Sequence, residues 1–394
     1  MIRPLKQANG FGFFSFSPLP VEMAEGFDYE VIGRYHNYYF TPKKHSWPIN
    51  YEKPKVILDG FSPNLNKFLH IGHLRNLALA KSFSKLFDGR FVALYGTALG
   101  INDNAVKATK ELLSFVGYSP EEYSDSEVTS KFLETPKSKE ILKDSPNEEY
   151  AGCKIYEGLK NPVVCVRSNG QATYDLHDLA FAELIGPTHY LTGNEQKEHF
   201  ENLGLGHKHL PMGLILDPST GQKMKSRDGN ALSAVEALQM VADHLKETPE
   251  IKKLAWNVLA WNFLRAGRTT NLKFNVDQWV QADQPGLYIT YTYARLDSAL
   301  KNVKIDTNAE LSPIDCQLMG FCEYSYYWAD KARMEFDTAS LANYAYELCR
   351  FIGNLYHTER ISNGRPGFQL AISHSLKTLD ELMLQLAMFP LTGI

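Results

Sequence analysis

The chain has 394 residues, 44% of them hydrophobic and 22% charged, which is typical of a folded globular protein with two or three domains. Its formal net charge of −4 argues against nucleic-acid binding through overall charge, although a basic track on one face stays open. Charged residues interrupt every apolar run before it is long enough to span a membrane, so we expect no membrane association.

The cysteine pattern favours a reducing environment. The five cysteines form no CxxC pair and no cysteine–histidine spacing typical of a zinc site. The N-terminus lacks the charged-then-apolar pattern of a secretion signal. We therefore expect reduced cysteines, no metal ligands in the chain and a cytoplasmic location.

Residues 1–50 are rich in aromatic residues, glycine and proline, and we expect an N-terminal extension there. From residue 51 onwards, short apolar runs predict strands and 3.6-residue periodicity predicts helices. The first predicted elements are a strand at 56–58, a helix at 74–87, a strand at 91–95 and a helix at 104–116. This order favours an α/β fold in which helices cover a parallel sheet.

Residues 117–160 break this rhythm with many Glu, Ser, Lys and Pro residues, so we expect a surface insertion there. Strands are predicted again at 163–167, 189–192 and 213–216. Strands should stop near residue 246 and helices follow, for example at 251–264, 287–302 and 341–356. The predicted domains are an α/β domain at 51–245 and an α-helical domain at 246–394.

The segment His70-Ile71-Gly72-His73 follows a predicted strand and opens a predicted helix. A helix N-terminus offers free N–H groups and a positive dipole end, which favour phosphate. The two imidazoles share one helix face and can donate to phosphate oxygens, while Gly72 lets a base or ribose approach the backbone. An ordinary amphipathic helix with two histidines explains the four residues alone equally well. The strand-to-helix context favours a phosphate site.

A second segment places three cations in one loop, at Lys223, Lys225 and Arg227, with Met224 between the first two. Such a loop can close on a triphosphate and neutralise the charge that develops as pyrophosphate leaves. A solvated basic loop is the commoner explanation of a single charge cluster. The position of this one, at the end of the same α/β domain as the histidine pair, favours a role in catalysis.

Together the two segments resemble the paired signatures of class I aminoacyl-tRNA synthetases, and their surroundings resemble arginyl-tRNA synthetases in particular. The similar segments are Ser62-Pro63-Asn64, Lys67, His70 to Arg75, residues 167–170, 173–180 and 190–196, and Tyr291-Thr292-Tyr293-Ala294-Arg295. The resemblance runs from about residue 53 to the end. It implies a Rossmann-like parallel sheet with the site at the carboxyl ends of its strands, followed by an α-helical bundle that binds the anticodon.

The resemblance also implies the roles of individual residues. The substrate guanidinium is held by Tyr174 and Asp178, within what is expected to be the arginine-pocket strand. The α-amino and carboxylate ends of the substrate are held by Asp59, Asn64, His70 and Gln196. The nucleotide is held by His70, Gly72, His73 and Met224, and the leaving pyrophosphate by Lys223, Lys225 and Arg227, with assistance from Lys67. The simpler alternatives are a turn residue at Asp59 and a surface pair at Tyr174 and Asp178.

The implied reaction is attack of the arginine carboxylate on ATP, with Mg²⁺ accompanying the nucleotide, and transfer of arginine to tRNA. Carboxylates pair bidentately with guanidinium groups, and an unpaired buried charge costs about 3–5 kcal/mol. We therefore expect strong discrimination against citrulline, which would leave Asp178 unpaired.

The sequence also departs from this family. Its first 50 residues are too short for the N-terminal tRNA-contacting domain that is usual there. Two alternatives therefore stay open: a paralogue that passes activated arginine to a different acceptor, and a non-catalytic module that binds tRNA or an amino acid. Both histidines and the cationic loop are intact, which argues against the second alternative.

Overall fold

The computed structural model describes residues 2–5, 10–224, 231–281 and 283–394. The chain divides into two units according to its internal contacts. The α/β unit comprises Pro54–Ala237 and Arg268–Asn275, and the helical unit comprises Met1–Lys53, Leu238–Gly267 and Val276–Ile394. The residues expected as an N-terminal extension therefore group with the helices and not with the parallel sheet.

An antiparallel sheet forms the N-terminal part of the helical unit. Its elements are β1 (Arg3–Pro4), β2 (Gly12–Ser15), the short helix α1 (Val21–Ala24), β3 (Asp28–Ile32) and β4 (Tyr35–Tyr39), with strand order β1-β2-β4-β3. Phe13 stacks on Tyr38 with 5.1 Å between ring centroids, and the Tyr324 hydroxyl bonds to both backbone groups of Gly12. Buried aromatic pairs contribute much apolar area, which explains how this aromatic-rich segment is held.

A parallel sheet forms the centre of the α/β unit. Its five strands are β5 (Lys55–Asp59), β6 (Asp88–Tyr95), β7 (Glu121–Ser124), β11 (His189–Gly193) and β12 (Lys208–Met212). They lie in the order β12-β11-β5-β6-β7, and every neighbouring pair is parallel. The helices between them are α2 (Ile71–Leu86), α3 (Asp103–Val116), α4 (Asp125–Leu133), α5 (Pro136–Ile141), α6 (Tyr174–Ile185) and α7 (Lys197–Leu203). The prediction of an α/β parallel sheet is confirmed.

Two smaller sheets belong to the same unit. The first is antiparallel and consists of β8 (Leu142–Asp144), β9 (Lys154–Glu157) and β10 (Pro162–Val166). The second pairs β13 (Ile215–Leu216) with β14 (Leu272–Lys273) in parallel. Short 3₁₀ helices lie at Glu148–Tyr150 and Asn194–Gln196. The strands expected at 163–167 and 213–216 thus exist outside the parallel sheet, and strands do not stop at residue 246.

Both edge strands of the parallel sheet escape prediction from the sequence. β7 has the sequence Glu-Glu-Tyr-Ser and lies within residues 117–160, so those residues are not wholly an insertion. β12 contains Pro211 and two polar residues. An edge strand has one unpaired side, which tolerates proline and polar side chains, so neither strand shows an apolar run.

Residues 174–185 form helix α6, and the expectation of a strand there is wrong. The Thr173 side chain caps this helix by accepting a hydrogen bond from the N–H of Leu176. Leu176 and Leu179 are fully buried in the core of the unit, as the helical period requires. Residues four apart share one helix face, so Tyr174 and Asp178 lie on the same side of α6.

Helices dominate the rest of the described chain. They are α8 (Ala234–Asp243), α9 (Ile251–Leu264), α10 (Val276–Trp279), α11 (Pro285–Leu300), α12 (Pro313–Cys322), α13 (Tyr324–Glu335), α14 (Ala339–Tyr356) and α15 (Pro366–Gln385). The prediction of an α-helical part is confirmed. In α9, every residue from Leu254 to Leu264 is buried, and Asn257 bonds to both backbone groups of Phe389. None of the described helices is both long enough and apolar enough to cross a membrane.

Candidate active site

A cavity of about 350 Å³ lies at the carboxyl ends of β5, β6 and β11, beside the first turns of α2 and α6. Ten of the residues singled out from the sequence line it: Asp59, Asn64, His70, Gly72, His73, Tyr174, Asp178, Gln196, Lys223 and Met224. Lys67 is exposed and is not part of the lining. Lys225 and Arg227 lie outside the described residues. Segments more than 160 residues apart in sequence therefore meet at one site.

His70 and His73 cap the first turn of α2. Nδ1 of His70 accepts a hydrogen bond from the N–H of Gly72 at 3.1 Å, and Nδ1 of His73 accepts from the N–H of His70 at 3.0 Å. A ring nitrogen that accepts carries no proton, so in each neutral ring the proton is on Nε2. The ring centroids lie 3.9 Å apart. The pair therefore offers two neighbouring N–H donors.

Both imidazoles are neutral at physiological pH. Burial lowers the pKa of His70, and the charge of Lys223 lowers it further. Burial, followed by the influence of His70 and Lys223, lowers the pKa of His73 to about 3. Lys223 is the only Lys or Arg among the described residues that line the cavity. It supplies positive charge there, while the two imidazoles act as uncharged donors.

A tight hairpin brings Lys223 to the cavity. Leu216 and Lys223 form an antiparallel bridge, and the N–H of Met224 donates to the main chain of β13 at 2.9 Å. Between them, Asp217 accepts hydrogen bonds from two backbone N–H groups of the turn. Gly221 has a φ of +67°, which glycine adopts without strain. Lys223 is thus placed by regular turn chemistry.

Two glycines make room for site side chains. A Cβ at Gly72 would lie 2.9 Å from Cε1 of His70, so the space expected for a base or ribose is taken by the His70 ring. A Cβ at Gly96 would lie 1.8 Å from Oδ1 of Asn64, which packs directly on the backbone there. Both positions therefore require glycine because a neighbouring side chain of the site occupies the space.

Arg75 is fully buried and links α2 to the hairpin segment. Its guanidinium donates to the backbone carbonyls of Gly213, Thr270 and Arg268 at 2.9, 2.8 and 3.2 Å. A buried guanidinium needs several acceptors, and backbone carbonyls supply them here. The sequence pattern does not indicate this role, although Arg75 lies only two residues after His73.

Asp59 ends β5 and is 4% exposed. Its carboxylate accepts a hydrogen bond from the Ser62 hydroxyl, which in turn accepts from the N–H of Leu94 at 2.7 Å. Burial raises the pKa of Asp59 to about 7, and the negative charge of Asp178 contributes in the same direction. Asp59 is therefore poised to change its charge near neutral pH. The role of Ser62 was not foreseen from the sequence.

Tyr174 and Asp178 project from the first two turns of α6. Tyr174 is 57% exposed. Asp178 is paired with His199 of α7, with 2.7 Å between Oδ2 and Nε2. The expectation of a desolvated Asp178 left unpaired by an uncharged ligand is therefore wrong. Nothing in the sequence reasoning pointed to His199, because its partners lie on a different helix.

A second acid–histidine pair lies on the cavity wall. Asp125 Oδ1 accepts from the N–H and hydroxyl of Thr97 at 2.9 and 2.6 Å, and its Oδ2 lies 3.9 Å from Nε2 of His177. Nδ1 of His177 contacts the Thr129 hydroxyl at 2.7 Å. Asp125 lies in the stretch that was expected to be an insertion, which is why the sequence did not reveal this network.

The cavity lining therefore combines two chemical characters. Lys223 and the two imidazole donors suit an anion such as a phosphate group. Asp59 and Asp178 suit cationic groups of a ligand, and the charge of Asp178 helps to raise the pKa of Asp59. An amino acid with a cationic side chain and a nucleoside triphosphate together carry both kinds of group.

Sequence comparison gives a consistent picture. No model of a protein family matches the chain. It is 25% identical over 313 residues to an arginine–tRNA ligase of Lactobacillus delbrueckii subsp. bulgaricus, covering 68% of this chain and 54% of that protein. It is 27% identical over 264 residues to an arginine–tRNA ligase of Phocaeicola vulgatus, covering 55% of this chain and 43% of that protein. The chain thus spans about half the length of the curated relatives it matches.

Solved structures agree with the sequence comparison. An arginyl-tRNA synthetase of Thermus thermophilus superposes with a TM-score of 0.71 at 15% identity, covering 94% of this chain and 88% of that one. That of Plasmodium falciparum gives 0.71 at 16% identity, covering 93% and 86%. The chain is related to the arginyl-tRNA synthetases. It has the fold of the class I synthetases, and the resemblance expected from the sequence is confirmed.

Proposed function

We propose that this synthetase relative activates arginine with ATP and transfers it to tRNA. One observation carries the proposal: side chains suited to phosphate and side chains suited to cationic groups line the same cavity at the strand ends of a class I synthetase fold. The similarity to arginine–tRNA ligases supports arginine as the amino acid. A cytoplasmic location stays a prediction.

The proposed chemistry is an in-line displacement at the α-phosphate of ATP. A carboxylate oxygen of arginine forms a bond to the α-phosphorus, the bond from that phosphorus to the bridging oxygen of the β-phosphate breaks, and pyrophosphate leaves. The Nε2–H groups of His70 and His73 donate to the phosphate as its charge develops, and Lys223 stabilises the leaving pyrophosphate. Lys225, Arg227, Lys67 and Met224 keep the roles that the family resemblance implies.

ATP enters this reaction as its magnesium complex, because Mg²⁺ binds phosphates with few protein ligands. Among the described residues, no group of three or more His, Cys, Asp or Glu could hold a metal ion. We assign no protein ligand to Mg²⁺, and the proposed residue roles do not depend on it.

The arginine side chain is proposed to lie against Tyr174 and Asp178, with its α-amino group near Asp59 and its carboxylate near Asn64 and Gln196. Asp178 already shares the imidazole of His199 with Asp175, so only part of the unpaired-charge penalty of about 3–5 kcal/mol arises when the ligand is neutral. Discrimination against citrulline is therefore expected to be weaker than the sequence alone implies, and to reflect the loss of one charge-assisted hydrogen bond.

The first test is arginine-dependent exchange of pyrophosphate into ATP, with and without total tRNA. The wild-type chain is expected to exchange with arginine. Asp178→Asn should raise KM for arginine about tenfold or more, since a hydrogen bond to a charged group is lost, while KM for ATP changes little. His357→Ala, at an exposed histidine after α14, is the control.

Two results would contradict the proposal. Absence of exchange with arginine under both conditions would reject the activity. An unchanged arginine KM in the Asp178 variant would remove this residue from the pocket. Exchange without any aminoacylation of tRNA would instead favour the alternative of a different acceptor.

A further inference from the structure

An acid–histidine cluster formed by Asp175, Asp178 and His199 lies beside the candidate site. Nδ1 of His199 lies 3.1 Å from Oδ1 of Asp175, and Nε2 lies 2.7 Å from Oδ2 of Asp178. The two acids are three residues apart and share one face of α6. Asp178 lines the active-site cavity, whereas Asp175 lines a neighbouring cavity.

The geometry favours a charged imidazole. A neutral ring has one N–H donor, whereas both ring nitrogens of His199 face carboxylate oxygens, which only accept when they are ionised. A doubly protonated ring satisfies both acids. Burial alone would lower the pKa of His199, but the hydrogen bonds to Asp175 and Asp178 outweigh burial and raise it to about 9.

Aromatic packing fixes the ring of His199. It meets Phe200 nearly edge-on, with 4.8 Å between centroids and 74° between planes. Phe200 stacks on Tyr190 at 4.3 Å, and both line the active-site cavity. His199 thus holds one oxygen of Asp178 in a fixed direction. No hydrogen bond from a described residue reaches the other oxygen, Oδ1.

We propose that His199 is a positioning residue that sets both the charge and the orientation of the carboxylate that receives the substrate side chain. This inference rests on the proposed function for the identity of that substrate. Two carboxylates and one imidazolium leave one net negative charge for the ligand. A fixed Oδ1 suits a planar guanidinium, whose donors have set directions, better than the freely rotating ammonium of lysine.

Other titratable groups near the cluster are consistent with this charge balance. His207 precedes β12, and burial lowers its pKa, so it is neutral. Burial, with a contribution from the negative charge of Asp178, raises the pKa of Asp59 on β5 to about 7. Burial and the negative charges of Asp178 and Asp59 raise the pKa of the Tyr190 hydroxyl well above its usual value. The pKa of Asp59, about 7, and that of His199, about 9, therefore bound the pH range over which this charge balance is to be tested.

Single substitutions separate charge from orientation. His199→Gln leaves two negative charges and replaces the charged, ring-held donor to Asp178 with a neutral, flexible amide. The preference for arginine over lysine in kcat/KM should therefore fall about tenfold, the effect of one charge-assisted hydrogen bond. Asp175→Asn leaves no net charge, so KM should rise for both amino acids although Asp175 does not line the substrate cavity. Glu198 is an exposed acid next to His199 on α7, so Glu198→Gln is the control. It should change neither the arginine-to-lysine preference nor KM.

The double variant completes the test. With both substitutions the net charge is again one negative, so KM for arginine should return towards the wild-type value, while the preference over lysine stays reduced because the carboxylate is still unfixed. A merely structural role would lower kcat/KM for both substrates in parallel and would show no such recovery. An unchanged arginine-to-lysine preference in His199→Gln, or an unchanged arginine KM in Asp175→Asn, would overturn the inference.

A readout independent of activity separates this inference from the proposed function. ¹H–¹⁵N spectra of the full wild-type chain and of His199→Gln are compared, and the imidazole signal that disappears in the variant is assigned to His199. Both nitrogens should be protonated at pH 7.5, with deprotonation near pH 9, and added L-arginine should shift the signal more than L-lysine. A pKa of the His199 ring at or below its ordinary value of 6.5 rejects the inference. An imidazole signal that does not shift when L-arginine is added rejects it as well. Failure of pyrophosphate exchange alone rejects the proposed activity instead.

Discussion

At the scale of single residues, the histidine pair shows how one side chain serves structure and chemistry at once. Nδ1 of each ring closes a backbone hydrogen bond in the first turn of α2, which leaves Nε2–H as the donor for a ligand. Since burial keeps the rings neutral, neither repels Lys223 strongly. The capping role thus fixes the tautomer that the proposed phosphate contact requires.

His73→Ala should separate these two roles. Loss of a donor to the developing charge is expected to lower kcat for pyrophosphate exchange about a hundredfold or more. Loss of the cap should lower the free energy of unfolding by only about 1 kcal/mol. His73→Asn keeps a side-chain acceptor for the His70 N–H, so it should recover stability without recovering kcat. Denaturant unfolding and exchange kinetics measure the two effects, and near-wild-type kcat in either variant would contradict the role of His73.

The buried carboxyl group of Asp59 predicts a pH dependence. Burial raises its pKa to about 7, so the group is mostly neutral at pH 6 and mostly ionised at pH 8. In the proposed binding mode the α-amino group of arginine pairs with the ionised form, so KM for arginine should fall up to about tenfold across this range, following the ionised fraction. Because the folded pKa lies above the unfolded one, the stabilising contribution is complete below pH 3.8 and is lost as pH rises through 7.

Asp59→Asn tests both consequences. The variant should show a weak, pH-independent KM for arginine between pH 6 and 8, and a higher melting temperature than the wild type at pH 8 but not below pH 4. His73, with a pKa of about 3, and His199, with a pKa of about 9, titrate outside this range, and burial lowers the pKa of His70. If wild type and variant keep the same pH slope in KM, a group other than Asp59 controls binding.

At the scale of secondary-structure elements, the sequence pattern predicts central strands and amphipathic helices, but it does not predict the edge strands of the sheet. β5 and β6 are continuous apolar runs because the sheet buries them on both faces, so their sequence reveals them. β7 and β12 lie at the edges, where Glu121, Glu122 and Pro211 are tolerated. Their places in the sheet depend on tertiary pairing, which no local pattern contains.

The candidate site divides in the same way. Residues on contiguous segments, such as His70 with His73 or Lys223 with Met224, are found from motif and spacing. The partner of Asp178 is not, because His199 lies 21 residues away on another helix and the contact depends on how α6 and α7 pack. The helical state of α6 was also missed, although Thr173 as a cap and the buried spacing of Leu176 and Leu179 indicate it.

At the scale of the whole molecule, the proposed transfer to tRNA requires a surface for RNA beyond the active-site cavity. The helical unit carries a second cavity of about 380 Å³ in α11, lined in part by Tyr288, Tyr291, Thr292 and Arg295. Arg295 is exposed, and its guanidinium lies 5.9 Å from the ring centroid of Tyr356. Exposed aromatic and arginine side chains together suit stacking with bases and pairing with phosphates.

The segment 291–295 resembles the start of an anticodon-binding domain, but its side chains differ in solvent exposure. Tyr293 is 8% exposed, and its hydroxyl donates to Asp380 at 3.0 Å, so it supports the helical packing. Arg295 and the partly exposed Tyr291 are accessible to a ligand. We therefore expect Arg295 to contact RNA, and we expect Tyr293 to stabilise the packing of the helices without contacting RNA.

Filter binding of tRNA to the full chain at several salt concentrations tests this expectation. Wild-type affinity should fall steeply with salt, because each phosphate contact releases counterions. Arg295→Ala should weaken binding and reduce the slope of log K against log salt by about one. Arg34→Ala is the matched control, since Arg34 is also exposed and lies 5.4 Å from the Phe16 ring centroid. Equal slopes for both variants would exclude Arg295, and an absence of salt-dependent binding even at low ionic strength would favour an acceptor other than tRNA.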